Sequence, residues 1–146
     1  MSTRSYIAKI DDNGRTTVVY CHSDGYLGYV GKILANYYTH PDKVDALLAL
    51  GNISMLGITP VDDPRMWDGF SYDYEETPEG FCVKCRTYKG RGDKDEDATV
   101  YPSYDKMVED TGRGQDYNYV YKNGVWYYGS FGWPDFDKGP LKRVPK

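Results

Sequence analysis

The stretch Tyr20-Cys21-His22-Ser23-Asp24-Gly25-Tyr26 gathers the residue types best suited to chemistry in this chain. It sets a thiol, an imidazole and a carboxylate where a strand should give way to a helix. The first backbone N–H groups of a helix lack internal partners, so such a junction can hold an anion. On that reading Tyr20, His22, Asp24, Gly25 and Tyr26 form a ligand site with Lys32 from the helix and Arg4 from across a hairpin. An arginine there can pair with a phosphate or carboxylate through two parallel bonds. The plainer reading makes Asp24 a helix cap and His22 a strand-end residue bonded to backbone. The run Gly25 to Lys32 has neither the Walker spacing nor the hydroxyl that binds magnesium, since Ile33 stands in its place.

Catalysis has less to build on. His22 with Asp24 or Asp73 could act as a base pair in a small enzyme. Cys21 and His22 are adjacent on a strand, so their side chains face opposite ways and form no dyad. Cys82-Val83-Lys84-Cys85 is a single Cys-x-x-Cys in an expected strand, without a second ligand pair. It is read as two unrelated strand cysteines, with no metal and no cofactor expected.

These groups need elements to place them. Ser5 to Ile10 and Arg15 to His22 read as a hairpin across an Asn13-Gly14 turn of two residues. That register sets Tyr6, Ala8, Ile10, Val19 and Cys21 on one face, taken as the core face. Ser5, Ile7, Lys9, Val18, Tyr20 and His22 fall on the other, and Arg4 lies across from Ser23. A helix from about Tyr26 to Tyr38 follows, with Leu27, Val30, Leu34 and Tyr37 at helical spacing and Asp24 as its cap. Gly28, Gly31 and Ala35 form a small-residue stripe, read as a close packing contact. A second helix starts at Thr39 or His40 with Pro41 in its first turn, buries Val44, Leu47 and Leu48, and ends at Gly51. Residues 51 to 57 read as a compact turn and 58 to 79 as a long acidic loop. Next come a strand from Gly80 to Tyr88 and a short helix from Tyr104 to Asp110 capped by Ser103. A hairpin of Asp116 to Tyr121 and Val125 to Phe131 crosses Asn123-Gly124, and residues 132–146 form an irregular tail. The expected fold is therefore a single α+β domain over 1–146. Its antiparallel sheet is packed by two consecutive helices and one short helix.

The chain has 146 residues, sixteen of them tyrosine, and a formal net charge of −4 from 18 bases and 22 acids. Tyrosine buries apolar area yet keeps a hydroxyl that wants a partner. Such residues serve either recognition or cross-strand pairing, and a tyrosine-rich sheet edge would suit a homodimer. The negative balance argues against general nucleic-acid binding. Residues 62 to 79 carry seven acids against Arg65 alone, whereas 117 to 146 carry five bases against two acids. The acidic loops could imitate a phosphate backbone or dock on a basic partner protein. Trp67, Asp73, Glu75, Glu76, Asp93, Asp95, Glu96 and Asp97 are the candidate contacts, and the plainer reading is solvated loops. The lack of a membrane-length apolar run and the odd count of three cysteines lead to an expected cytoplasmic setting.

Four segments together resemble a family of small proteins encoded by bacteriophages and prophages. They are Met1 to Ile7, Tyr20 to Tyr26, Val30-Gly31-Lys32-Ile33-Leu34 and Lys43 to Gly57. The likeness covers roughly the first 57 residues, and Tyr117 to Tyr128 matches in outline. It implies phage origin and a bacterial host cytoplasm, and transfers no catalytic residue. A small phage protein of this kind is expected to bind rather than catalyse. It would inhibit a host defence protein through the acidic loops, or alternatively sequester a nucleotide-like anionic signal around His22.

Overall fold

The computed structural model describes residues 2–71, 75–139 and 141–146; for residues 68–71 only the backbone is considered. Its N-terminal hairpin joins β1 (Ser5–Ile10) to β2 (Thr16–Cys21), but not across the expected two-residue turn. Asp11 N–H donates to Arg15 O at 2.9 Å and Gly14 N–H to Asp11 O at 3.0 Å, leaving Asp12-Asn13-Gly14 as a three-residue loop. The Asp11 carboxylate explains the difference. Its Oδ1 accepts the N–H groups of both Asn13 and Arg15 at 2.9 Å, an Asx-type clamp that rewards the longer loop. Gly14 alone takes a positive φ, +83°, in the left-handed position such loops require.

One extra loop residue shifts the register by one and swaps the faces of β1, whereas Val19 and Cys21 of β2 keep the expected core side. Ile7 pairs with Val19 and Tyr6 with Tyr20. Ile7, Val19 and Cys21 thus enter the main core, while Tyr6, Ala8, Ile10, Val18 and Tyr20 point to the opposite face.

The other strands are β3 (Ile53–Met55), β4 (Arg86–Thr87), β5 (Thr99–Tyr101), β6 (Tyr117–Lys122) and β7 (Val125–Ser130). They form a single sheet in the order β4-β3-β2-β1-β6-β7, with β5 beside the start of β2. The sheet is mixed rather than antiparallel throughout, because β1 runs parallel to β6 and β2 parallel to β3. Both pairings join distant segments across long connections, as parallel pairing requires. The fold is α+β.

The main face is covered by a π-helical turn (Leu27–Gly31) running into α1 (Lys32–Tyr37), and by α2 (Pro41–Ala49). His40 caps α2 by accepting Asp42 N–H at 3.2 Å, and Val44, Leu47 and Leu48 are buried as the spacing predicts. The small-residue stripe is close packing at Gly31, where a Cβ would lie 3.3 Å from both the Tyr119 hydroxyl and Val144, and at buried Ala35, but not at exposed Gly28. The second face is half covered. There α3 (Tyr104–Thr111), capped by Ser103, lays Met107 with Ala8, Val18 and Val120, and Trp133 and Phe136 extend the cover. At β7 the tail is ordered, with Val144 N–H bonded to Trp126 O and Val144 itself buried. No helix among the described residues is long and apolar enough to cross a membrane.

Gly25 locks the helical layer to β1. A Cβ there would sit 2.8 Å from the Ser5 Cβ and 2.9 Å from the Thr3 carbonyl oxygen, whereas on Gly28 it would meet only the Tyr26 ring at 3.4 Å. Gly25→Ala is expected to cost about 1–3 kcal/mol through overpacking. Urea titration should show a lower midpoint at unchanged slope, with Gly28→Ala close to wild type.

Candidate functional site

The part of the second face beyond α3 carries two rows of side chains, one aromatic and one polar. Parallel pairing of Cys21 with Ile53 sets Tyr20 beside Asn52 and His22 beside Ser54. The backbone agrees, since His22 N–H donates to Ile53 O and Ser23 N–H to Ser54 O. Antiparallel pairing of β3 with β4 sets Tyr88 opposite Asn52; a bulge then shifts the register so that Arg86 pairs with Met55 and reaches Ser54 by its side chain. The aromatic row is Tyr20–Asn52–Tyr88: Tyr20 N–H donates to Asn52 Oδ1 at 2.9 Å, and Tyr88 N–H to Asn52 O at 3.3 Å. The polar row is His22–Ser54–Arg86, with Arg86 Nη2 donating to Ser54 Oγ at 2.7 Å.

Arg86 is half-buried and held on three sides. Nη1 donates to Met66 O at 3.3 Å, and the guanidinium lies 4.4 Å from the Trp67 ring centre. Trp67 is itself fixed by its indole N–H on Thr87 O at 2.9 Å. Yet Arg86 pairs with no carboxylate among the described residues, and its buried Nε–H has no acceptor. A guanidinium drawn from water without a counter-ion and with an idle donor costs free energy. Two hydrogen bonds and the contact with the Trp67 ring offset part of that cost, and the Nε–H is left over.

The rings beside it are polarised in the same sense. Tyr20 hydroxyl and His22 Nδ1 share a hydrogen bond of 2.7 Å. Burial raises the Tyr20 phenol above its ordinary pKa, and the positive charge of Arg4 opposes that rise. Burial raises Tyr88 as well, against the Ser54 hydroxyl and the charge of Arg91. Arg91 lies 4.5 Å from the Trp67 ring centre and 5.2 Å from that of Tyr88. Tyr6 meets Tyr20 edge-on at 6.2 Å and stacks on Trp133 at 5.7 Å, closing the row towards α3.

Of the residues expected to bind a ligand, Arg4, Tyr20 and His22 fall together here. Asp24 is not the helix cap. It sits at φ +54°, its carbonyl accepts Val30 N–H, and the capping position falls to Tyr26, which makes no side-chain cap bond. The reason is Gly25, whose N–H is taken by Thr3 O at 2.7 Å and whose carbonyl takes the Tyr119 hydroxyl at 2.7 Å. That wedge holds the chain extended until Tyr26, which is exposed. Lys32 faces elsewhere, into a cleft of about 550 Å³ with Tyr37, Glu79, Phe81 and Lys146.

Several of the acidic candidates have internal work. Asp93 pairs with Arg91, Asp97 with Lys89 at 2.6 Å, and Glu96 accepts from Asn52 Nδ2 at 2.8 Å. Asp95 occupies a left-handed turn position at φ +60°, Glu75 and Glu76 are exposed, and Asp73 lies outside the described residues. Trp67 belongs to a 3₁₀ helix (Pro64–Ser71) inside the expected long loop, and acts there as the anchor for Arg86.

Sequence reasoning missed Ser54, Arg86, Tyr88 and Arg91. The segment from Gly80 to Tyr88 is strand only at Arg86–Thr87; Cys82 and Cys85 instead bridge to Gly57 and Asp62. The alternation of Arg86 and Tyr88 about buried Thr87 was the available signal. All three cysteines are free and buried, and no cluster of metal-ligating side chains occurs among the described residues. No protein-family model matches this chain, and comparison with curated proteins and with solved structures gives no match.

Burial pushes the Cys21 thiol up to about 12 and the Cys85 thiol up to about 11, so neither is a nucleophile at neutral pH. In the unfolded chain thiols titrate near about 8.5, so above that pH unfolding releases protons that the folded state keeps. The stabilisation is fully present below about pH 8.5 and declines by about 1.4 kcal/mol per pH unit for each thiol as pH rises further. Urea midpoints measured from pH 7 to 10 should be flat and then fall, and a Cys21→Ala, Cys85→Ala double variant should fall less steeply.

Proposed function

We propose that this protein binds, without turning over, a small ligand that joins an anionic group to a planar ring. The observation that supports this reading best is Arg86, a half-buried guanidinium lacking a carboxylate partner among the described residues, with an idle Nε–H. A phosphate or carboxylate would supply both the charge and the acceptor. His22 stands next along the row, the charge of Arg4 reaches Tyr20 at one end, and Arg91 lies over Tyr88 at the other. Tyr20 and Tyr88 offer ring surface for stacking.

The groups that would have to act in catalysis do not converge. His22 shares its Nδ1 with a phenol rather than a carboxylate, and Cys21 is sealed in the core as a neutral thiol. In the phage setting that the N-terminal resemblance implies, such binding would withdraw a nucleotide-like signal from the cytoplasm of a bacterial host. Inhibition of a host protein through the acidic loops is the weaker reading, because Asp93, Glu96 and Asp97 already have partners within the chain.

Native mass spectrometry of protein purified gently from bacteria tests the choice. The expected spectrum shows a retained mass of nucleotide size that disappears in Arg86→Gln. Loss of a charged hydrogen-bonding group should weaken binding by about tenfold or more. A retained host protein that survives Arg86→Gln but is lost when Glu75 and Glu76 become Gln would overturn the proposal in favour of inhibition.

A further inference from the structure

We infer that the ligand is a short dinucleotide, one phosphodiester with a base on either side, rather than a mononucleotide or a nucleic-acid polymer. This rests on the anion-binding reading of Arg86 and adds the identity of what is attached to the anion. Three observations carry it.

The first is the presence of two ring platforms rather than one. Tyr20 and Tyr88 flank Asn52, each tied to it through its own backbone N–H. They stand two strand intervals apart, about 10 Å at the usual spacing. A mononucleotide has one base and would leave one platform bare.

The second is the arrangement of the rows. The polar row of His22, Ser54 and the cationic Arg86 runs alongside the aromatic row one side-chain repeat away, about 7 Å along the strand. A phosphodiester lying on the polar row can splay its two bases sideways onto Tyr20 and Tyr88. Sheet faces that read unstacked single strands place aromatics and cations in this way.

The third is the rim. Trp133 stacks on Tyr6 and closes the row at α3, while Asp93 pairs with Arg91 at the other end and Glu96 lies at the middle, bonded to Asn52 Nδ2. A continuing phosphate backbone would meet an indole at one end and a carboxylate at the other. The overall charge of −4 agrees with a ligand that carries few phosphates.

Calorimetry on the full chain tests the inference with five probes: inorganic phosphate, a nucleoside monophosphate, a linear dinucleotide, a cyclic dinucleotide and a longer oligonucleotide. Each organic probe is used in adenine and guanine forms. At least one dinucleotide should bind about tenfold or more tightly than the monophosphate, as a second stacked base provides. Tyr88→Leu should abolish that advantage and Tyr88→Phe should keep it, which separates loss of the ring from loss of the fold. The linear and cyclic arms decide whether the source is a strand fragment or a closed dinucleotide. Equal affinity for monophosphate and dinucleotide, both lost in Arg86→Gln, would overturn the dinucleotide and leave the anion site standing. Tighter binding of the longer oligonucleotide would overturn the short ligand. Binding of none of the five would overturn both the inference and the proposed function.

Discussion

The Asp11 carboxylate decides which side of this sheet meets which part of the molecule. By taking two backbone N–H groups it closes the first hairpin at three residues. With a two-residue turn, Tyr6 and Ala8 would share the face of Val19 and Cys21, and Ile7 would be turned out beside Tyr20. The other Asn-Gly in the chain shows what happens without such a clamp. Asn123 and Gly124, at φ +52° and +79°, form the tight two-residue turn directly between Lys122 and Val125. The same dipeptide thus gives two turns, and the residue two places before it chooses.

That register gives the two faces different duties. The main face is a packed core in which tyrosines take part only because their hydroxyls are satisfied. Tyr29 donates to Leu56 O, Tyr38 to Gly57 O and Tyr119 to Gly25 O, each at 2.7–2.8 Å. These bonds also pin the helical layer to the loops beyond β3, so tyrosine content is a structural device before it is a recognition surface. On the second face α3 and the tail cover β1, β6 and the start of β2, and the 3₁₀ helix covers Ser54 and Arg86 through Met66 and Trp67. Between the two covers the side chains change from Ala8, Val18 and Val120 to Tyr20 and His22.

Elements defined by local chemistry were legible in the sequence. The second helix announces itself through His40, Pro41 and the Val44–Leu47–Leu48 spacing, and the third through Ser103 and Gly112. Elements defined by distant partners were not. Ile53–Met55 and Thr99–Tyr101 are three residues each and exist as strands only because β2 lies beside them. Of the site, Tyr20, His22 and Arg4 could be found because they neighbour one another along or across a hairpin. Arg86 could not, since its place beside Ser54 depends on a pairing 32 residues apart. Asp24 looked like a cap by composition, but Gly25 wedged between Thr3, Ser5 and Tyr119 defers the helix beyond it.

The central claim is the proposal that Arg86, held by Ser54, Met66 and Trp67, takes an anion on its idle Nε–H. Side-chain arginine nuclear magnetic resonance reads that donor directly, by following the Arg86 Nε–H signal during titration with inorganic pyrophosphate. The expected result is a saturable shift and slowed solvent exchange at Arg86, with exposed arginines such as Arg113 unaffected. An Arg86 signal that stays still, or that moves no more than those of the exposed arginines, would contradict it.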